Sequence, residues 1–162
     1  MNLHAAVLFA LLFFATCRVA WGSEPGDGTI DVVYPYNVDL VSRKVPAVAY
    51  DSARKRVVCF GGLTSTKTVA ATMEWDGFDW IQVPTVATPK LSGAMVYDAA
   101  RGVCVLFDGQ ATWTWDGAQW TKKSPSSSPT ARSSMAMAYD AARQRTVLFG
   151  GVSTANVDLG DT

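Results

Sequence analysis

Three stretches share one layout: Tyr50 to Gly62 reads YDSARKRVVCFGG, Tyr97 to Gly109 reads YDAARGVCVLFDG, and Tyr139 to Gly151 reads YDAARQRTVLFGG. The Tyr-Asp pairs lie 47 and then 42 residues apart, and the same two intervals separate Phe60, Phe107 and Phe149. Both ends of the unit therefore keep step. A chain of this kind builds its core by stacking similar supersecondary units, because one unit alone cannot bury its apolar face.

Each unit reads as four short strands. The first ends at the Tyr (PAVAY, GAMVY, MAMAY) and alternates a larger side (Val48, Met95, Met137) with a mostly small one (Ala47 and Ala49, Ala94 and Val96, Ala136 and Ala138), which suits a crowded innermost strand. Asp51, Asp98 and Asp140 each open a turn with Ala two and Arg three residues on, where an Asp side chain accepts a backbone N–H. Arg54, Arg101 and Arg143 are expected beside those aspartates or at a neighbouring unit. The second strand is apolar throughout (VVCF, CVLF, TVLF), as in an element covered on both faces. A Gly-Gly or Asp-Gly doublet ends it. The third strand leads to Trp75-Asp76-Gly77 or Trp115-Asp116-Gly117 and the fourth starts at Trp80 or Trp120; Asp-Gly between two such runs signals a hairpin. Pro84 to Pro89 and Ser124 to Pro129 are strand-free connections.

Four antiparallel strands per unit make a propeller blade. The expected fold is thus all-β, an incomplete propeller of about two full four-stranded blades plus part of a third, over residues 45–84, 91–123 and 133–162. Asp161-Thr162 fall where Ala71-Thr72 and Ala111-Thr112 precede the third strand, so truncation is favoured over copies that assemble to complete a ring.

Ahead of the repeats, Ala5 to Ala15 is an apolar run bounded by Arg18, shorter than the roughly 20 residues that cross a bilayer. Ala20-Trp21-Gly22 places small residues three and one before a signal-peptidase cut. Residues 1–22 are therefore expected to be a signal peptide cleaved after Gly22, giving a secreted, periplasmic or cell-surface protein. This is favoured over an uncleaved anchor or a lipoprotein on Cys17, whose preceding Phe14-Ala15-Thr16 matches a lipobox poorly. Residues 23–44 form a linker in which Ile30 to Tyr34 reads as an outer strand.

Net charge is zero, and the fourteen basic and fourteen acidic residues are interspersed, which speaks against nucleic acid as a partner. Cleavage removes His4, the only histidine, so the mature residues offer no Ser-His-Asp or Cys-His arrangement and no His-based zinc or copper site. No cofactor, metal or catalytic residue is assigned. Cys59 and Cys104 lie in equivalent strands and admit three roles: core packing, a disulfide between blades, or redox chemistry.

The apolar strand ending in Gly61-Gly62 or Gly150-Gly151, followed by an aromatic and a spaced Trp, resembles the Kelch repeat, over Pro46 to Thr162. The Tyr-Asp-x-Ala-Arg and Trp-Asp-Gly-x-x-Trp variants are similar to those of exported bacterial Kelch proteins. The resemblance implies an exported, non-enzymatic module that binds protein or carbohydrate through blade-face loops. Its alternative is the N-terminal part of a larger galactose oxidase-like enzyme whose catalytic residues lie beyond Thr162. Function is expected where the units differ, in the loops after the doublets, with Lys67 and Asn156 as polar candidates. Asp108, which replaces the first Gly of the second doublet, is the third.

Overall fold

The computed structural model describes residues 43–90 and 93–162. The expected signal peptide and the outer strand at Ile30 to Tyr34 lie outside these residues. The described chain is all-β and contains no helix. Sheet 1 pairs β1 (Ala47–Asp51), β2 (Arg56–Phe60), β3 (Thr72–Trp75) and β4 (Trp80–Val83) in chain order, every pair antiparallel. Sheet 2 repeats this with β5 (Ala94–Asp98), β6 (Val103–Phe107), β7 (Thr112–Trp115) and β8 (Trp120–Lys122).

The third unit consists of two pairs. β10 (Ala136–Asp140) pairs with β11 (Arg145–Phe149), and β12 (Val152–Ser153) pairs with β9 (Arg132–Ser133). The β9–β12 pair was not expected from the sequence, since two residues on each side are too few to show a period. Its counterpart in the first unit is the bridge between Lys44 and Leu63.

The units keep a common register through the loop that follows each doublet. Gly61 N–H donates to the Ala71 carbonyl, Asp108 N–H to Ala111 and Gly150 N–H to Asp161, each at 3.1 Å. The loops differ in length, but the doublet closes all of them at the same point. The second doublet residue is Gly in every unit, with φ of 104° at Gly62, 90° at Gly109 and 101° at Gly151. A Cβ there would stand 2.6 Å from the Arg132 carbonyl oxygen at Gly109 and 2.6 Å from that of Ser133 at Gly151. Both the positive φ and the close backbone approach demand glycine.

The inner hairpin carries the Asp-x-Ala-Arg turn. Asp51 Oδ1 accepts from the N–H groups of Ala53 (3.1 Å) and Arg54 (3.0 Å), while Arg54 Nε donates to Oδ2 at 2.7 Å. Arg101 and Arg143 meet the Oδ2 atoms of Asp98 and Asp140 through Nη1, at 2.6 and 2.7 Å. The residue that re-enters the second strand is left-handed in each unit: Lys55, Gly102 and Gln144 have φ of 54°, 67° and 53°.

The core lies between sheets 1 and 2. Ala47, Ala49, Val58 and Phe60 from sheet 1 meet Met95, Cys104, Leu106, Trp115 and Trp120 from sheet 2. The small side of β1 is thus the side that receives the neighbour. Phe60 packs edge-on against Trp120 with centroids 5.1 Å apart. Trp120 Nε1 donates to Thr72 Oγ1 and Trp115 Nε1 to Glu74 Oε1, both at 2.8 Å, so the two buried indole donors are satisfied across the junction.

Both described thiols are free and buried. Cys104 belongs to this core cluster, whereas Cys59 pairs with Val48 and Met73 on the opposite face of sheet 1. The sheet therefore separates them, and neither is bonded to the other. Burial pushes the Cys104 thiol up to about 12, the nearby Asp51 carboxylate adding to the effect, and burial raises Cys59 as well. Both behave as small apolar residues.

Burial works to raise the Asp51 carboxyl, but hydrogen bonds from the Arg54 backbone and guanidinium, the Arg54 charge and the Tyr97 phenol together hold it below its ordinary 3.8. The unfolded state therefore binds more protons than the folded one between the two values. The stability gained is present in full above 3.8 and is lost as pH falls through the folded value. We expect urea midpoints to be level from about pH 5 to 7 and to fall below about pH 4. Asp51→Asn should be less stable at neutral pH and show a shallower acid slope. An unchanged slope in that variant would remove Asp51 as a source of the acid sensitivity.

A candidate binding cleft

A cleft of about 480 Å³ opens where the inner strands begin. The approach to β1 contributes Val45 and Pro46, that to β5 contributes Gly93, and that to β10 contributes Ser134 and Met135. The doublet loops supply the rest, notably Asp108 and Gln110 from the second unit and Ser153 and Thr154 from the third. All three units thus meet at one place.

Two lining residues hold backbone conformations that side chains disfavour. Val45 has φ of 47° and Ser134 has φ of 55°, each two residues before its inner strand. A β-branched residue in that region is an outlier, at a cost of about 1–2 kcal/mol. Val45 is also 71% exposed. Strained, exposed backbone held by a rigid scaffold is typical of binding surfaces.

The charged groups at the cleft are occupied within the chain. Asp108 Oδ1 accepts from the N–H groups of Gln110 (3.0 Å) and Ala111 (2.8 Å), and Oδ2 accepts from Trp113 Nε1 at 2.9 Å. Gly61 and Gly150 have φ of 71° and 66°, but Asp108 does not share this positive φ. Without that requirement, an Asp fits, and its carboxylate caps a loop too short to close by itself. Arg132, nearly completely buried, donates to the Gly150 carbonyl at 3.0 Å and to both carboxylate oxygens of Asp161 at 2.5 and 2.7 Å. The hydrogen bonds from Arg132 hold the Asp161 carboxyl below its ordinary range.

The residues left to face a ligand are uncharged. Gln110, Ser133, Ser134 and Thr154 are exposed and Ser153 is half-buried, above an apolar floor of Pro46, Met135 and Val152. Of the three sequence candidates, Asp108 lines this cleft. Lys67 and Asn156 do not. Lys67 N–H donates to Thr64 Oγ1 at 3.1 Å, and Asn156 N–H donates to the Ser153 carbonyl at 2.9 Å with φ of 59°, so both serve as turn residues in exposed loops.

Arg132 and its first-unit counterpart Arg43 were missed by sequence reasoning. Arg43 Nη1 donates to the Gly61 and Ala71 carbonyls at 3.2 and 3.4 Å, the same doublet position that Arg132 holds at Gly150. The available signal was a basic residue four positions before each inner-strand Ala: Arg43, Lys90 and Arg132.

These features define an all-β repeat chain with a neutral, hydroxyl-lined cleft at the meeting point of its units. No protein-family model matches the chain, and no curated protein matches it significantly.

Proposed function

We propose that the chain is an exported, non-enzymatic Kelch-repeat module that binds a neutral, hydroxyl-bearing ligand, carbohydrate by chemistry, at the cleft formed by its doublet loops. The observation that carries this reading is the fate of the cleft's charges: Asp108 and Arg132 are spent on the protein's own loops, leaving hydroxyl and amide side chains outward. Such groups donate and accept, as sugar hydroxyls do, and strong ionic partners gain nothing from them. The Kelch assignment is supported by the repeated doublet and Trp spacing, and export by the Met1 to Gly22 segment.

Calorimetric titration with neutral oligosaccharides should show saturable binding that Gln110→Ala weakens by about tenfold, the loss of roughly one hydrogen bond to a bound group. Binding of a protein loop instead, or of anionic sugars only, would overturn the ligand class. N-terminal sequencing of exported protein should begin at Ser23; a retained Met1 would overturn cleavage after Gly22 in favour of an uncleaved anchor.

A further inference from the structure

Arg132 joins the two polar walls of the cleft. Its backbone belongs to the second unit's wall: the N–H donates to the Gly109 carbonyl at 2.9 Å, and its carbonyl oxygen lies so near that a Cβ on Gly109 would stand 2.6 Å away. Gln110 follows Gly109 directly, with its own N–H held by Asp108 Oδ1 at 3.0 Å. The Arg132 side chain belongs to the third unit's wall. There Nη1 reaches the Gly150 carbonyl at 3.0 Å, and Nη1 and Nη2 together grip the Asp161 carboxylate. The β9–β12 register sets Arg132 opposite Ser153, which Thr154 follows in the chain.

All five N–H donors of this guanidinium are engaged. Besides Gly150 and Asp161, the Thr130 carbonyl accepts from Nε at 3.1 Å and Thr130 Oγ1 accepts from Nη2 at 2.9 Å. An arginine carries five donors in a rigid planar fork, so five acceptors in place leave it a single orientation. Its side chain is 1% exposed, whereas that of Asp161 is 59% exposed. The other units are held less completely. Arg43 reaches two carbonyls of the first unit, and its buried Nε meets no acceptor among the described residues. The second unit has the exposed Lys90 at this place, which cannot present a fork. Among the described residues, the complete clamp therefore lies where Gln110, Ser153 and Thr154 line the cleft.

We infer that Arg132 is the positioning residue of the cleft: through Gly109 on one side and the Gly150–Asp161 closure on the other, it fixes the spacing of Gln110 from Ser153 and Thr154, so that both walls act on one ligand. The inference rests on the reading of this cleft as a site for a neutral, hydroxyl-bearing ligand. The guanidinium has no donor left for that ligand and acts through the walls. Hydrogen bonds to hydroxyl groups are directional, and walls free to move apart must be ordered when the ligand arrives, at the expense of affinity. A buried, fully engaged arginine supplies that order beforehand.

The test uses two variants of the full chain. Asp161→Ala removes the carboxylate half of the clamp from an exposed position outside the cleft lining, and Arg132→Lys keeps the charge without the fork. Circular dichroism reports whether the sheets persist. Without any ligand, hydrogen exchange at the Arg132 and Gln110 N–H groups should be at least about tenfold faster in each variant, and exchange at Ala53 N–H in the first unit should be unchanged. Unaltered exchange at Arg132 and Gln110 would overturn the inference whatever the cleft binds. In calorimetric titrations with glucose, galactose and mannose trisaccharides, each variant should weaken binding about three- to tenfold. Asp161→Asn, which retains one acceptor oxygen, should recover part of that loss. Binding weakened by Gln110→Ala but untouched by Asp161→Ala and Arg132→Lys would remove the positioning role and leave the cleft reading standing. Binding that Gln110→Ala does not alter would overturn the cleft reading, and this inference with it.

Discussion

Trp115→Ala is expected to cost about 3–5 kcal/mol, and Trp75→Ala, at the same place in an otherwise similar Trp-Asp-Gly turn, no more than about 1.5 kcal/mol. Trp115 is completely buried, with its ring 5.4 Å from Trp120 and its indole N–H on Glu74. Truncation there opens a cavity in the core between sheets 1 and 2 and removes one of the two groups that face Glu74 Oε1. Trp75 lies on the other face of sheet 1, half-buried, with Trp80 at 5.9 Å. Among the described residues, no second sheet covers its ring. In urea the first change should lower the midpoint by roughly 2 M at an m value near 2 kcal/mol/M, and the second by well under 1 M. Equal losses would mean that Trp75 is covered as fully as Trp115, and the described core would then be the wrong one.

That pair also shows what the sequence carries and what it leaves open. The strands, the Asp-Gly hairpins and the Asp-x-Ala-Arg turns are local: each depends on residues within one unit, so the repeat displays the turns three times and the hairpins twice. The doublet is legible for the same reason, because positive φ and a close backbone approach are needed wherever the loop begins. Stacking is different. Trp75 and Trp115 read identically, and only the presence of a neighbouring sheet on one side separates a packing anchor from a half-covered ring. Asp108 stood out as a departure from the Gly rule, and it does line the cleft. Its carboxylate, however, serves its own short loop, a role that appears only once Ala111 and Trp113 are placed. Arg43 and Arg132 stayed hidden because the target they share is a backbone carbonyl of the doublet, which every sequence has. The cleft itself is assembled from lead-in segments and loops of three units, with no residue pattern in common beyond small and polar.

Glu74→Ala should cost about 2–3 kcal/mol, more than a surface ion pair can account for. Glu74 is buried between sheets 1 and 2, where Oε2 accepts from Arg54 Nη1 at 3.0 Å and Oε1 lies 2.8 Å from both Arg54 Nη2 and Trp115 Nε1. Arg54 in turn holds Asp51, whose carboxylate receives the Tyr97 phenol. Burial works to lower the Arg54 pKa, but Glu74 and Asp51 more than compensate, so its charge is secure. Removing Glu74 thus strands two donors at once, and a guanidinium side chain still 31% exposed recovers only part of its loss from water. Glu74→Gln, which keeps an acceptor for Trp115, should lose about half as much. In a double-mutant cycle, Arg54→Met and Glu74→Ala together should cost less than their sum by about 1–2 kcal/mol. Strict additivity would show that the network's geometry carries no energy. The equivalent of Glu74 in the second unit is Thr114, so this charged network exists at one junction only. The junction of sheet 2 with the third unit is instead tied by Ala100 N–H donating to the Tyr139 hydroxyl at 3.1 Å, so Glu74 marks which two sheets belong together. Loss of Glu74 should therefore weaken the junction of sheets 1 and 2 while leaving the junction at Tyr139 intact, a distinction that hydrogen exchange at Ala53 and Ala100 N–H can read directly.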